Sequence, residues 1–338
     1  MLEALDVAVT IHDVARHAGV SVTTVSRALT DPGLVRQSTR ERVVATAQRL
    51  AYHPNPAARS LITGKTGMIG IIVPDVGNPF YPGVLRGVQA AARQVSYSVL
   101  LADSEESPAA EEALVRSMSR QVDGIIVCGS STPSARLKRV ASDTTLVLLN
   151  RRVASIPAVL MDIGRGAQQA IEHLAVLGHR SVVFLAGPAH AWPVQQRRLA
   201  LIKAAGKHGM RFREVGPIEP NFEGGVHGTE LALGSGATAL LAYNDLVALG
   251  VMRALSTRGI SVPRDMSLIG FDDILYAAMC APALTTVAMP MEAAGRAAAE
   301  TLLAEIQGRA RAAARSSGEA SRLHSELIVR GTTGPAPK

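Results

Sequence analysis

Cysteine is almost missing from this chain: Cys128 and Cys280 are the only two in 338 residues. They stand far apart, each inside an apolar run, with no second Cys or His at ligand spacing. They therefore read as reduced core thiols, and a disulfide framework or a zinc site is excluded. No apolar run reaches the roughly 18 residues of a membrane span. The first residues, MLEALDVAVT, carry acids where an export signal has a basic flank. Catalytic signatures are missing too. There is no G-x-S-x-G elbow, Walker loop or H-E-x-x-H helix, and the GRG of Gly164 to Gly166 follows no dinucleotide fingerprint. These absences leave an expectation of a cytoplasmic protein that is not an enzyme and holds no metal or cofactor.

The chain is long enough for two or three domains, and at 47% hydrophobic and 19% charged residues it has a globular composition. A formal charge of +7 fits a polyanionic partner, although a solvated arginine-rich surface gives the same sum. Its source is concentrated near the N-terminus. From Ile11 to Leu61, Arg16, Arg27, Arg36, Arg40, Arg42, Arg49 and Arg59 stand against Asp13, Asp31 and Glu41.

The same stretch spells three short helices. Thr10 with Asp13 opens the first, over Ile11 to Ala18, and Gly19 stops it. Ser21 caps the second, Val22 to Thr30, which turns Val25, Ala28 and Leu29 inward and leaves Val22, Thr23, Ser26 and Arg27 on its outer face and exposed start. Ser38 and Glu41 form a capping-box pattern for a third, with Val44, Ala47 and Leu50 on the buried side. Two short helices joined by a Gly-containing turn make a helix-turn-helix. Pro54 and Pro56 end the third helix. Ala57 to Leu61 then forms a short helix-capable stretch, marginal by itself.

From Met68 onward, Ile- and Val-rich runs alternate with helical stretches. Met68 to Val73, Ser98 to Ala102, Gly124 to Cys128 and Thr145 to Leu149 read as buried parallel strands. Val84 to Gln94 and Pro108 to Ser119 read as the helices between them. A second set follows, with strands at Ser181 to Ala186, Ala239 to Ala242 and Ser267 to Gly270. Its helices are Gly164 to Leu177, Val194 to His208 and Asp245 to Arg258. Gly224-Gly225 and Gly234-Ser235-Gly236 read as turns or helix ends. Two doubly wound α/β lobes make a clamshell, whose ligands would lie beyond the carboxyl ends of the strands.

The run TIHDVARHAGVSVTTVSRALTDPGLVRQSTRERVVATAQRLAYHPNPAARSL resembles the head of the lactose-repressor (LacI/GalR) family of bacterial transcription regulators. The resemblance continues through NPFY at Asn78 to Tyr81, VDGIIV at Val122 to Val127 and GHRSVVFLAGP at Gly178 to Pro188. It also takes in YND at Tyr243 to Asp245, GFDD at Gly270 to Asp273 and PALTTV at Pro282 to Val287. It implies an α/β fold in which an N-terminal three-helix helix-turn-helix head and a hinge helix join a two-lobed, periplasmic-binding-protein-like core of doubly wound parallel sheets. The expected domains are 10–55, a hinge and linker at 56–66, and a ligand-binding and dimerisation core at 67–338. Within that core the N-lobe takes about 67–161 and 290–320, and the C-lobe about 162–289 and 321–338. Arg309 to Arg322 reads as either a loose excursion or an extended surface helix.

The resemblance also implies an allosteric repressor of operator DNA carrying an inverted repeat. With no C-terminal leucine heptads in this chain, a homodimer is expected. The DNA-binding residues are then Ser21, Val22, Thr23, Thr24, Ser26 and Arg27 on the recognition helix, with Asn55, Ala58, Arg59 and a wedging Leu61 in the hinge. The ligand-binding residues are Asn78, Phe80, Tyr81, Asn150, Arg151, Trp192 (in a polar loop), Arg198, Phe222, Asn244 and Asp272. Phe80 reads equally as a packed aromatic, and Asp245 and Asp273 as solvated or structural. Arg, Asp, Asn and aromatic faces together suit a sugar or sugar derivative, sugar acids included, better than a nucleobase as the effector, either inducer or corepressor. The other readings are a purine or other corepressor in the same architecture, or a sugar-binding protein with no DNA role. The last would need an export signal and no head.

Overall fold

The computed structural model describes residues 9–30, 32–52, 64–189, 191–308 and 323–337. The chain divides into two compact units, Met1–Thr66 and Gly67–Lys338. The expected hinge, with Asn55, Ala58, Arg59 and Leu61, lies outside the described residues, as does Arg309 to Arg322.

In the first unit α1 (Ile11–Ala18), α2 (Val22–Thr30) and α3 (Gln37–Arg49) enclose a small core. Asp13 accepts both the Thr10 backbone N–H, at 3.0 Å, and the Thr10 hydroxyl, at 2.7 Å, which fixes the start of α1. Gly19 closes it at φ +63°, a left-handed angle that glycine adopts without a Cβ penalty. The core is Val14, Ala15, Ala18, Val25, Ala28, Val43 and Ala47. The third helix differs from its expected form. It begins two residues earlier, its cap Arg36 makes no side-chain cap bond, and Ser38 lies inside the helix. The buried stripe is therefore Val43, Thr46 and Ala47, with Val44 and Leu50 only half-buried.

The second unit contains two sheets. The first has the order β2-β1-β3-β4-β5, from β1 (Met68–Val73), β2 (Ser98–Asp103), β3 (Gly124–Cys128), β4 (Leu146–Leu149) and β5 (Ala158–Val159), all parallel. Its helices are α4 (Phe80–Gln94), α5 (Pro108–Met118) and α6 (Ser134–Ala141). The second sheet, with the order β13-β11-β10-β9-β7-β8, uses β7 (Ser181–Leu185), β8 (Arg211–Val215), β9 (Ala239–Ala242), β10 (Ser267–Asp272) and β11 (Thr285–Ala288). Here β13 (Glu326–Ile328) is the only antiparallel member. Its helices are α7 (Gly164–Val176), α8 (Trp192–Lys207), α9 (Phe222–Leu233), α10 (Asp245–Thr257) and the short α11 (Leu275–Met279).

The chain leaves the first sheet after β5, and β6 (Met161–Asp162) pairs in parallel with β12 (Leu323–His324). After β11 it returns as α12 (Met291–Ile306), which packs along α4. β1, β3, β4, β9 and β10 are buried almost throughout because helices cover both faces of each sheet.

Of the two expectations for Gly224-Gly225, a turn or a helix end, the structure shows the helix end, since both residues sit in the first turn of α9. A methyl group on Gly225 would overlap the Val247 carbonyl oxygen, and one on Gly250 the Phe222 carbonyl oxygen. The pair is there so that the α9 and α10 backbones can touch. Trp192 is likewise the first residue of α8 rather than part of a loop. The GHR motif has a structural role: His179 bonds Thr238 Oγ1 at 2.8 Å, Ser267 Oγ at 3.0 Å and the Gly334 carbonyl at 3.1 Å, tying the C-terminal segment to the second sheet.

Candidate nucleic-acid interface and effector cleft

On α2, Val25 and Ala28 are buried while Ser21, Thr23 and Arg27 are exposed at the start and on the outer face. Val22, Thr24 and Ser26 are half-buried. The Ser21 hydroxyl accepts the Thr24 N–H at 3.1 Å and shares a 2.8 Å bond with the Thr24 hydroxyl, so these two hydroxyls build the cap of the helix. Arg16, Arg27, Arg36, Arg40, Arg42 and Arg49 are all exposed, against Asp13 and Glu41 among the described head residues. An exposed helix start flanked by solvated guanidinium groups can meet base edges with one set of side chains and phosphates with the other.

The cleft forms where the strands of both sheets end. From the first sheet come Asn78, Phe80 and Tyr81 after β1, Glu106 after β2, Cys128 at the end of β3 and Asn150 after β4. From the second come Tyr243 and Asn244 after β9, Asp272 ending β10, Pro220, and Pro193 and Arg197 on α8. Asn150 turns out of its strand at φ +58° and Asp272 at φ +110°, strained angles of the kind kept at functional sites.

Arg197 dominates the interior. Its side chain is 5% exposed, and its Nη2 donates to Asp272 Oδ1 at 2.8 Å. Its Nη1 donates to the Tyr243 carbonyl, and its guanidinium lies 4.6 Å from the Tyr243 ring centroid and 5.1 Å from that of Phe271. Its Nε has no hydrogen-bond partner among the described residues. Burial pushes the Asp272 carboxyl up to about 6, with Arg197 opposing. Burial likewise drives the Tyr243 phenol up to about 12 and the Tyr81 phenol and Cys128 thiol well above their usual ranges. Phe80 and Tyr81 meet edge to face at 5.2 Å. Asn244 caps α10, accepting from Val247 N at 2.8 Å and donating to the Pro220 carbonyl at 2.8 Å.

The structure thus brings Asn78, Phe80, Tyr81, Asn150, Asn244 and Asp272 to one cavity, and places four expected residues elsewhere. Arg198 is half-exposed and faces Glu214 at 3.8 Å, because one helical step turns it about 100° away from Arg197. Phe222 begins α9 and is 39% exposed. Trp192 lines a separate groove of about 960 Å³ with Arg152, Leu199 and Lys203. Arg151 turns toward Ser134 Oγ at 3.3 Å. Sequence reasoning missed Arg197, Tyr243, Glu106 and Cys128. The stripe Val194, Arg197, Leu201, Ala204, Ala205 on α8 carried the signal for Arg197. Of the motif acids set aside as structural, Asp245 is buried and accepts from Thr286 Oγ1 at 2.6 Å and Ile274 N at 2.9 Å. Asp273 pairs with Arg330 at 2.6 Å.

An exposed recognition helix and a two-lobed polar cleft in one chain define a DNA-binding regulator under ligand control. Residues 10–55 match the bacterial regulatory proteins of the lacI family, and residues 171–333 a periplasmic binding protein-like domain. The HTH-type transcriptional repressor CytR of Escherichia coli (strain K12) is 32% identical, over 98% of this chain and 98% of that protein. The crystal structure of the lac repressor dimer bound to operator and the anti-inducer ONPF superposes with a TM-score of 0.82 at 28% identity, covering 97% of this chain and 99% of that one. A LacI family transcriptional regulator from Enterococcus faecium, solved with bound ribose, has a TM-score of 0.70 at 27% identity over 80% of this chain and all of that one. The chain belongs to the lacI family of bacterial transcriptional regulators, proteins that act by binding DNA and not by turnover.

Proposed function

We propose that the protein is a cytoplasmic repressor that binds an inverted-repeat operator as a homodimer and responds to a sugar or sugar derivative in the cleft. The observation that carries the effector reading is the buried Arg197–Asp272 pair with its unpartnered Nε, set among Asn78, Asn150 and the Tyr81 and Tyr243 rings. Hydroxyl groups can satisfy such donors and acceptors while ring faces cover the apolar side of a pyranose or furanose. The ribose-bound relative supports the same class.

Arg27 is the residue for bidentate reading of guanine, Val22 offers a methyl surface to thymine, and Thr23 makes one hydrogen bond. Ser21, Thr24 and Ser26 meet phosphate near the helix start. For the hinge, outside the described residues, the proposal assigns Leu61 as a minor-groove wedge with Ala58 and Arg59 beside it, and Asn55 just before the hinge as a further DNA contact. Dimerisation is supported by α11, whose Leu275, Tyr276 and Met279 are 71%, 48% and 68% exposed and form an apolar face.

The cleft is narrow as it stands, with about 40 Å³ open to the centre of a water-sized sphere. Effector entry therefore requires the lobes, or Tyr81 and Arg197, to move. That motion shifts the population between states of different operator affinity. Trp192, the single tryptophan, half-buried in the groove beside the β6 crossing, reports it. Titrating neutral sugars, nucleosides and free nucleobases against Trp192 emission and against retardation of operator DNA tests the proposal. A compound that changes both identifies the effector, whereas a nucleobase that acts without its sugar would favour the corepressor reading.

A further inference from the structure

The inference concerns the charge of the effector and rests on the cleft reading above. Beside the cavity lies a more open space of about 650 Å³, which we term the mouth of the cleft, lined by Asp75, Asp103, Glu105, Glu106 and Glu219, and Glu106 and Pro220 line both. No cationic side chain lines the mouth among the described residues. The carboxylates are held by neutral donors. Asp103 accepts from Val76 N at 2.9 Å and Glu105 N at 2.8 Å, Asp75 from Gly77 N at 2.7 Å, and Glu219 from Asn221 Nδ2 at 3.2 Å. Glu105 and Glu106 stand in succession at φ +50° and +56°, left-handed angles that fix their side chains in place.

Inside, the one lining arginine, Arg197, is already neutralised by Asp272. Among the described residues the mouth is therefore lined by carboxylates without a cation, and the inner cavity holds no cation that is not already paired. Burial and the nearby Asp75, Asp103 and Glu111 hold the Glu106 carboxyl above its ordinary range, as expected of an acid with no cation beside it. Arg197, which lines the inner cavity, keeps one buried donor, Nε, unpaired among the described residues.

We propose that this cleft excludes carboxylated and phosphorylated ligands and takes a polyhydroxylated effector that is neutral or carries an amine, its charge selected at the mouth by Glu106 and the four carboxylates beside it. A hydroxylated ring meets Arg197 without bringing a second charge to Asp272. An ammonium group at the outer end pairs with Glu106, whereas an anion meets repulsion over the whole approach.

The field can be read without knowing the effector. In a protein carrying Cys128→Ser and Cys280→Ser, Ala189→Cys places a single thiol at the exposed rim of the mouth. Its rates with trimethylammonium-ethyl, methyl and sulfonato-ethyl methanethiosulfonates are each divided by the rate of free cysteine. The cationic reagent is expected to lead the anionic one by roughly tenfold or more at low salt, narrowing toward parity at about 0.5 M salt. Glu105→Gln with Glu106→Gln should reduce the ratio. Equal rates, or a faster anionic reagent, would overturn the proposal.

The unaltered protein is then challenged with an equimolar pool of ribose, glucose, glucosamine, gluconate and glucose 6-phosphate, and retained compounds are identified by mass. Retention of neutral or amino sugars is expected, and retention of gluconate or the phosphate would overturn the proposal. Retention of nothing would count against the sugar reading of the cleft, while the thiol rates still decide its charge.

Discussion

Replacing Arg197 by methionine keeps much of the side-chain volume and removes the charge. Asp272 then stays buried at 4% exposure without its 2.8 Å partner, and the Tyr243 carbonyl loses a donor. Breaking a buried pair in this way costs about 3 to 5 kcal/mol. Protonation of Asp272 limits the loss. Its carboxyl already sits at about 6 with Arg197 present, and it rises further without it, so the neutral acid takes over at about 1.4 kcal/mol per pH unit above neutrality. A destabilisation of about 3 kcal/mol at pH 7 is expected, shrinking toward pH 5 where the acid form is favoured. Adding Asp272→Leu removes the stranded carboxyl, and the double variant should return to within about 1 kcal/mol of the parent while losing all effector response. Urea unfolding followed by circular dichroism at pH 5 and pH 8 measures each term. A single variant costing less than about 1 kcal/mol, or a double variant no better than the single, would refute the assignment of Arg197 and Asp272 as a coupled buried pair.

Other consequences are independent of the cleft. Arg27→Ala should flatten discrimination at one operator base pair by about 1 to 3 kcal/mol, read in a gel-shift series over operator variants. Gly250→Ala should cost about 2 kcal/mol or more, since its methyl overlaps the Phe222 carbonyl and both helices must part; thermal unfolding would show it. His179 is buried, and burial holds its pKa below 6.5. Its neutral form is favoured in the folded state, so its contribution is fully present above pH 6.5 and is lost as pH falls through the lower folded value. The urea midpoint should therefore drop from pH 7 to pH 5, and drop less in His179→Gln.

The strands were legible because Ile and Val runs such as Ile69 to Val73 are buried on both faces and leave little choice of structure. The first two helices announced themselves through Thr10, Asp13, Gly19 and Ser21, whose caps have direct bonding counterparts. What failed were details set by packing at a distance. Ser38 and Glu41 have capping-box spacing, yet the chain enters the helix at Gln37 because Val43 and Ala47 must meet Val14 and Val25. Gly224-Gly225 marks a helix end in the sequence, but that Gly225 is there to let Val247 approach is visible only in the packing. Arg197 and Arg198 are chemically identical in sequence, and only the buried stripe of α8 distinguishes them. Asn244 lines the cleft as expected, and its amide also holds the local fold through Val247 N and the Pro220 carbonyl, a second role set by packing.

The most direct test of the account is selection of DNA fragments from a random pool by the purified full-length protein, with sequencing of what is retained. The account predicts enrichment of an inverted repeat, each half-site requiring a guanine that Arg27→Ala no longer demands. Enrichment of a site without two-fold symmetry, or no enrichment by folded protein with and without pooled sugars and purines, would contradict it.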